Sequence, residues 1–167
     1  NREIRDLVVR MYYISPAADG RPGMPSLRRK FLTTEAGAPK IDDEEVLPGV
    51  EDMQVEFGVD TGDHNGAGGI DKDSDGNGVP DNPNGVVSRW VLPTDNVLRA
   101  PPLGRKAQVV AVRVWLRIRA EMPEVGFTDT RKYNYADVVD YQPTGADANF
   151  RRVVVTRTVY LRNARTL

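Results

Sequence analysis

The chain of 167 residues contains no cysteine, a single histidine and no long hydrophobic run. The missing cysteines exclude disulfide cross-links, thiolate zinc sites and cysteine nucleophiles. Because no stretch of about 18 apolar residues exists, no segment of this sequence is expected to span a bilayer. A domain of this size can be stable without cross-links, so the lack of cysteine remains compatible with export.

The charge has no dominant sign, since 23 basic residues face 24 acidic ones and the formal net charge is −1. No overall field therefore favours nucleic acid or an anionic membrane as a partner. Hydrophobic residues make up 40% of the chain and charged residues 28%, which is ordinary for a globular protein. This length predicts one globular domain over residues 1–167.

Common catalytic motifs are also missing. There is no GxxxxGK[ST], no GxGxxG and no HExxH. The one histidine, His64, lies in a Gly-rich segment without a nucleophile elbow, which argues against a Ser–His–Asp triad. Acids such as Glu51, Asp52 and Glu56 leave a glycoside hydrolase pair open, although acids at strand edges are usually solvated. We expect a protein that is not an enzyme.

Alternation of apolar and polar residues predicts β-strands along much of the chain, and no convincing amphipathic helix pattern is present. The predicted strands lie at 7–14, 26–33, 53–59, 108–120 and 151–163, with a short return at 90–92. The stretches between them, including 123–149, are read as irregular loops rich in Pro, Gly and Asp. We therefore predict a mainly β fold with one antiparallel sheet of about five strands and long irregular loops.

The strand at 108–120 carries aliphatic residues on one face and Arg113, Trp115, Arg117 and Arg119 on the other. We expect the arginine-bearing face to meet water or a protein partner and not the core. A nucleic-acid stacking surface is a weaker interpretation because the net charge is near zero. The aliphatic face needs a cover, which a helix outside this sequence or another chain would supply.

Residues 60–85 are dominated by Gly, Asp and Asn, and residues 71–82 read DKDSDGNGVPDN. A calcium ion takes six to eight oxygen ligands at about 2.3–2.6 Å, which alternate carboxylates on a tightly curled loop can supply. Gly76 allows the sharp turn after the third aspartate. We predict a Ca²⁺ site in this segment whose ligands are Asp71, Asp73, Asp75, the backbone carbonyl of Asn77 and the closing carboxylate of Asp81.

This acidic segment resembles EF-hand, dockerin and, most closely, thrombospondin type 3 loops. It departs from the EF-hand because Asn82 stands at the twelfth position and no helix pattern flanks it. We therefore expect a loop stapled by calcium, with Asp60, Asp63 and Asn65 as candidates for one further ligand. Calcium is favoured over magnesium since a flexible, carboxylate-rich loop suits the larger ion. The alternative is a plain solvated turn.

Several blocks of the sequence together resemble PilW-type minor pilins of type IV pili. They are RDLVVRMYYIS, PSLRRKFL, EEVLPGVEDMQVEFGVDT, VVAVRVWLRIRA and FRRVVVTRTVYLRNAR. The block GVEDMQVEFGVDT, followed by the Asp-rich segment, is the most specific. The resemblance implies an α+β pilin-like fold in which an N-terminal hydrophobic helix anchors the subunit in the inner membrane and later packs in the pilus core.

The resemblance also implies a function without catalysis. Such a subunit joins other minor pilins, often with a tip adhesin, in a complex that primes pilus assembly at the tip. Its globular domain lies in the periplasm or on the assembled pilus of a Gram-negative bacterium. There, millimolar calcium fills even sites with dissociation constants of about 10⁻⁴–10⁻³ M.

The sequence departs from that family in beginning at Asn1, without an initiator Met, a prepilin cleavage motif or the N-terminal helix. We therefore expect a trimmed piece of a longer protein. Two alternatives stay open: a type II secretion pseudopilin of the GspJ kind, and a free-standing calcium-dependent adhesion or carbohydrate-binding module. The upstream sequence would separate a pilin from a module, since only the pilin requires an apolar helix behind a short basic leader.

Overall fold

The computed structural model describes residues 8–60, 85–98 and 108–161. Within them, 59% of residues are in strands and 7% are helical. The helical residues form 3-10 turns at Asn96–Leu98 and Gly145–Asn149. The strands are β1 Arg10–Ser15, β2 Ser26–Glu35, β3 Ala38–Pro48, β4 Val50–Asp60, β5 Arg89–Val91, β6 Gln108–Arg119, β7 Tyr133–Tyr135, β8 Val138–Tyr141 and β9 Arg152–Tyr160.

These strands form three antiparallel sheets, with orders β1-β2-β3, β5-β4-β6-β9 and β7-β8. The prediction of a mainly β fold is confirmed. The prediction of one sheet with about five strands is wrong, since the described part of the chain holds nine strands in three sheets. In the part of the chain that the structure describes, no helix could serve as a membrane span. The α+β pilin-like fold stays a prediction.

The strands predicted from alternation are present with small shifts at their ends. The segment predicted at 26–33 is β2, which runs from Ser26 to Glu35, and the segment at 108–120 is β6. Strands β1 and β2 form an antiparallel hairpin with a long connection, in which Tyr13 pairs with Arg28. Alternation of apolar and polar residues located these strands, and in β6 it coincides with burial of Val110.

Alternation predicts no strand at the position of β3, because this segment contains the acidic run Asp42 to Glu45. The structure pairs this run with the basic run of β2, so that Glu45, Glu44 and Asp43 lie opposite Arg28, Arg29 and Lys30. Opposite charges placed directly across a strand pair stabilise the pairing without apolar burial. Complementary charge runs, and not hydrophobic alternation, are therefore the sequence signal for this hairpin.

The turn between β2 and β3 is two residues long. Ala36 and Gly37 have φ angles of 50° and 82°, and the flanking residues Glu35 and Ala38 are paired. Positive φ at both central positions is the geometry of a type I′ turn, which matches the twist of a hairpin. Alanine at the first of these positions weakens the usual Asn-Gly signal, so the turn was not predicted.

The predicted long loop at 123–149 contains the two short strands β7 and β8. They pair around a turn, with Tyr135 opposite Val138 and Tyr133 opposite Tyr141. Tyr133 and Tyr135 are buried, and the Tyr133 and Tyr141 rings lie 6.4 Å apart. Strands of three and four residues are too short for a period-two pattern to stand out, and the fold holds them through aromatic burial.

The described residues group into two compact units. One contains residues up to Met53, Leu116–Lys132 and Gln142–Val155, and its fully buried side chains include Val50. The other contains the described residues between Gln54 and Trp115, Tyr133–Tyr141 and the chain from Thr156. Its core is built on Val59 and Val91. The single domain over residues 1–167 stays a prediction.

Candidate functional site

The two ends of the acidic segment, residues 60 and 85, meet at the C-terminal end of β4. This strand ends at Asp60, which is only 1% exposed. The Oδ2 atom of Asp60 accepts a hydrogen bond of 2.6 Å from the backbone N–H of Gly85. The N–H of Ser88 donates to the carbonyl of Val59 at 2.9 Å. A hydrogen bond from a backbone amide to a buried carboxylate is strong, so this bond fixes where the chain leaves and rejoins the sheet.

The predicted calcium ligands Asp71, Asp73, Asp75, Asn77 and Asp81 lie outside the described residues, as do His64, Asp63 and Asn65. Of the candidates named from sequence, the structure places Asp60 alone. Among the described residues, no group of three or more His, Asp or Glu side chains could hold a metal ion. The calcium site thus stays a prediction.

A cavity of about 470 Å³ lies next to Gly85. Its described lining consists of residues 85–90 with Arg113, Thr158 and Tyr160. The Arg113 guanidinium carbon lies 3.7 Å from the centroid of the Trp90 ring. Its Nε–H donates to Thr158 Oγ1 at 3.4 Å. A cation over the face of an indole is an attractive arrangement, so Arg113 is held in one orientation at the cavity wall.

Glycine is required at position 58 for this wall to form. A Cβ atom at Gly58 would lie 2.8 Å from Val87 Cγ2, 3.0 Å from Ala111 Cβ and 3.1 Å from Trp90 Cη2. All three distances are shorter than normal carbon–carbon contacts. The bare backbone of β4 therefore lets Trp90 and Val87 pack closely on the strand beneath them.

Trp115 is half-buried and takes part in contacts within its own unit. Its indole Nε1–H donates to Glu56 Oε2 at 2.7 Å, and its ring centroid lies 6.2 Å from that of Tyr135. The Glu56 carboxylate also lies 3.6 Å from Arg113 Nη1. These contacts give Trp115 and Glu56 structural partners in the described chain.

In the other unit, arginines and acids form a buried ionic cluster around Glu51. Arg152 makes two hydrogen bonds to the Glu51 carboxylate, at 2.8 and 2.9 Å, and Arg117 Nε adds a third at 3.1 Å. Asp147 pairs with Arg152 at 2.7 Å and with Arg119 at 3.3 Å. The side chains of Arg152 and Glu51 are 0% and 10% exposed. Water is thus nearly excluded from the Glu51–Arg152 pair, whereas Asp147 is 40% exposed.

A model of the Type IV pilus-assembly protein W family, PilW, matches residues 11–163. The chain belongs to the PilW family. No curated protein and no solved structure matches it. The resemblance inferred from the strand blocks is therefore confirmed, and it connects the chain with type IV pilus assembly.

The expectation that the arginine-bearing face of this PilW-family chain is open to water or a partner is wrong for Arg117, which is 8% exposed. Arg119 is also covered: its guanidinium carbon lies 4.3 Å from the centroid of the Phe150 ring. Arg117 is covered within the sheet, where it binds Glu51 of β4, and the Phe150 ring that covers Arg119 follows a segment predicted as an irregular loop. An Arg117→Glu variant would bring two carboxylates together at Glu51, so it would report on folding and not on a partner.

The candidate carboxylates of a hydrolytic pair also have structural partners in the PilW-family chain, since Glu51 binds arginines and Glu56 binds Trp115. Sequence reasoning did not find Trp90, Arg89 or Tyr160 as cavity residues, nor Arg152 as a buried ion. The local sequence around each is ordinary for a strand. Only the pairing of distant strands brings them together.

The exposed sheet of β1, β2 and β3 carries its own ion pairs. Hydrogen bonds from the Tyr13 hydroxyl and the Arg28 guanidinium lower the pKa of the Asp43 carboxyl. The same bond to Asp43 raises the pKa of Tyr13. Asp43 is therefore ionised at neutral pH, and its contribution is lost only as the pH falls through its lowered pKa.

Proposed function

We propose that this PilW-family chain is a minor pilin, a non-enzymatic subunit that takes part in assembling and priming the type IV pilus at its tip. The observation that carries the proposal is the family match over residues 11–163, which includes strands of both compact units. The proposed partners are other minor pilins, a tip adhesin, and the inner membrane through an N-terminal helix. The proposed location is extracytoplasmic.

The partners of the Glu51 and Glu56 carboxylates support a structural role without catalysis. Glu51 forms ion pairs with the buried Arg117 and Arg152, and Glu56 accepts a hydrogen bond from an indole N–H. A general acid or base must reach a substrate proton directly. Side chains with these partners serve the packing of the strands.

The test of the assembly role uses the full-length protein in its native cell. Deletion of the gene that encodes it is expected to leave few or no surface pili, counted by electron microscopy. Expression of the full-length protein is expected to restore them. Labelling with gold-conjugated antibody is expected to place the protein at pilus tips. Normal piliation after deletion would contradict the assembly role, and labelling along the whole fibre would contradict the tip position.

We further propose that residues 60–85 bind one Ca²⁺ through Asp71, Asp73, Asp75, Asn77 and Asp81. Two observations support this. The alternate aspartates followed by Gly76 supply oxygen ligands at the spacing that calcium loops use. The Asp60–Gly85 bond also holds the two ends of the segment together, which lowers the entropic cost of closing a loop around an ion.

Calcium titration by calorimetry is expected to show one saturable site, and the Asp73→Ala, Asp75→Ala variant is expected to lose it. Calcium should also raise the melting temperature, by mass action, because only the folded loop binds it. The control is Asp137→Ala, which removes an exposed carboxylate in the turn between β7 and β8. If wild-type protein binds nothing at millimolar calcium, or if the double variant binds normally, the site is absent.

A further inference from the structure

The cavity beside Trp90 has the size and charge of a small-ligand site. Its volume of about 470 Å³ falls within the range of pockets that hold small molecules, about 300–1,000 Å³. Arg89 and Arg113 are both in its described lining, and none of the described lining residues carries a negative charge. A ligand that fills this space therefore meets two guanidinium groups.

Arg113 is positioned for recognition before any ligand arrives. The Trp90 ring supports its guanidinium plane, and Thr158 fixes its Nε–H. The Glu56 carboxylate forms an ion pair with Arg113, 3.6 Å from Nη1, without a hydrogen bond at that distance. An arginine that is already oriented loses less entropy when it binds, and its planar fork matches a carboxylate.

The remaining lining carries groups suited to a hydroxylated ring. Tyr160, 64% exposed, offers an aromatic face, and Thr158 and Ser88 carry hydroxyl groups. Arg89 has an exposed side chain and lies 4.0 Å from the Asp95 carboxylate. The cavity volume of about 470 Å³ is larger than a lone carboxylate side chain requires. The aromatic and hydroxyl groups of its lining suit a hydroxylated ring.

We propose that this cavity binds an acidic saccharide of one or two rings, with its carboxylate on Arg113 and a ring face against Tyr160. The proposal is independent of the pilus assembly role, which concerns the family of the chain and not this cavity. It assigns a ligand-binding activity to residues 85–90, Arg113, Thr158 and Tyr160.

The test is an NMR titration of the ¹⁵N-labelled chain with glucuronic acid, and with glucose as the neutral control. The chain has two tryptophans, so Trp90 and Trp115 give separate indole signals that report on the site. Glucuronic acid is expected to shift the Trp90 signal in a saturable manner at millimolar concentration and to shift the Trp115 signal less. Glucose is expected to bind at least about tenfold more weakly, as expected for a lost charged hydrogen bond.

Arg113→Gln is expected to weaken glucuronic acid binding by about tenfold or more, and Arg113→Lys by less. Arg89→Gln is the second variant, because its exposed side chain can be replaced without disturbing the sheet; it is expected to weaken binding severalfold. Arg157→Gln is the matched control. It removes the same charge from an exposed position of β9 that is not in the described cavity lining, and is expected to bind normally.

Four outcomes would overturn the proposal. They are no saturable shift with the wild-type chain, equal binding of glucose, equal weakening by Arg157→Gln, and binding of a short glutamate-containing peptide when glucuronic acid does not bind. The last outcome would identify the cavity as a site for an acidic protein segment instead.

Discussion

Replacing Arg152 by alanine is expected to lower the free energy of unfolding by about 3–5 kcal/mol, because it leaves buried groups without their partner. The Arg152 side chain is 0% exposed and donates both to the Glu51 carboxylate and to the backbone carbonyls of Asp147 and Phe150. Alanine removes all of these donors at once. Urea denaturation followed by circular dichroism measures the change, as a shift of the midpoint at constant slope.

Arg151→Ala is the matched control for this prediction. Arg151 is the preceding residue, its side chain is 60% exposed, and its partner Glu124 is 49% exposed. Solvent screens such a pair, so the midpoint is expected to stay nearly unchanged. Equal midpoints for Arg151→Ala and Arg152→Ala would show that the cluster around Glu51 does not hold its unit together.

Replacing Gly49 by alanine is expected to lower the free energy of unfolding by about 2–4 kcal/mol, the sum of backbone strain and steric overlap. Gly49 joins β3 to β4 with φ +85°, and an added Cβ would lie 2.7 Å from the backbone oxygen of Arg119. The Gly49 N–H donates to Pro25 O at 2.7 Å, and its carbonyl accepts from the Arg119 N–H at 2.9 Å. The residue therefore cannot move away without breaking backbone hydrogen bonds.

Gly37→Ala separates strain from overlap. Gly37 has nearly the same φ, +82°, but a Cβ there would meet nothing within 4 Å. We expect this variant to lose only the strain contribution, about 1–2 kcal/mol. Thermal denaturation of both variants gives the comparison. If the two lose the same stability, the close approach of Arg119 to Gly49 has no energetic importance.

Apolar alternation and residue types in the sequence determined much of this protein by themselves. The strands β1, β2, β4, β6 and β9 follow from apolar–polar alternation, although Val153, Val155 and Val159 of β9 remain exposed in the structure. The family was identified from blocks such as GVEDMQVEFGVDT, which the match over residues 11–163 confirms. The absence of cysteine and of catalytic motifs limited the classes of function. The spacing of Asp71, Asp73 and Asp75 predicts calcium binding, which calorimetry has to test.

Only the tertiary structure decided how the charges are used. Alternation shows that Arg117 lies opposite the aliphatic face of β6, but it does not show that Glu51 of β4 binds it. Glu51 and Arg152 are 101 positions apart, and Trp90 and Arg113 meet only because their strands belong to one sheet. A local sequence pattern records which side of a strand a residue occupies. Its partner on another strand is set by the pairing of the whole chain, and that pairing makes the buried ionic cluster and the cavity.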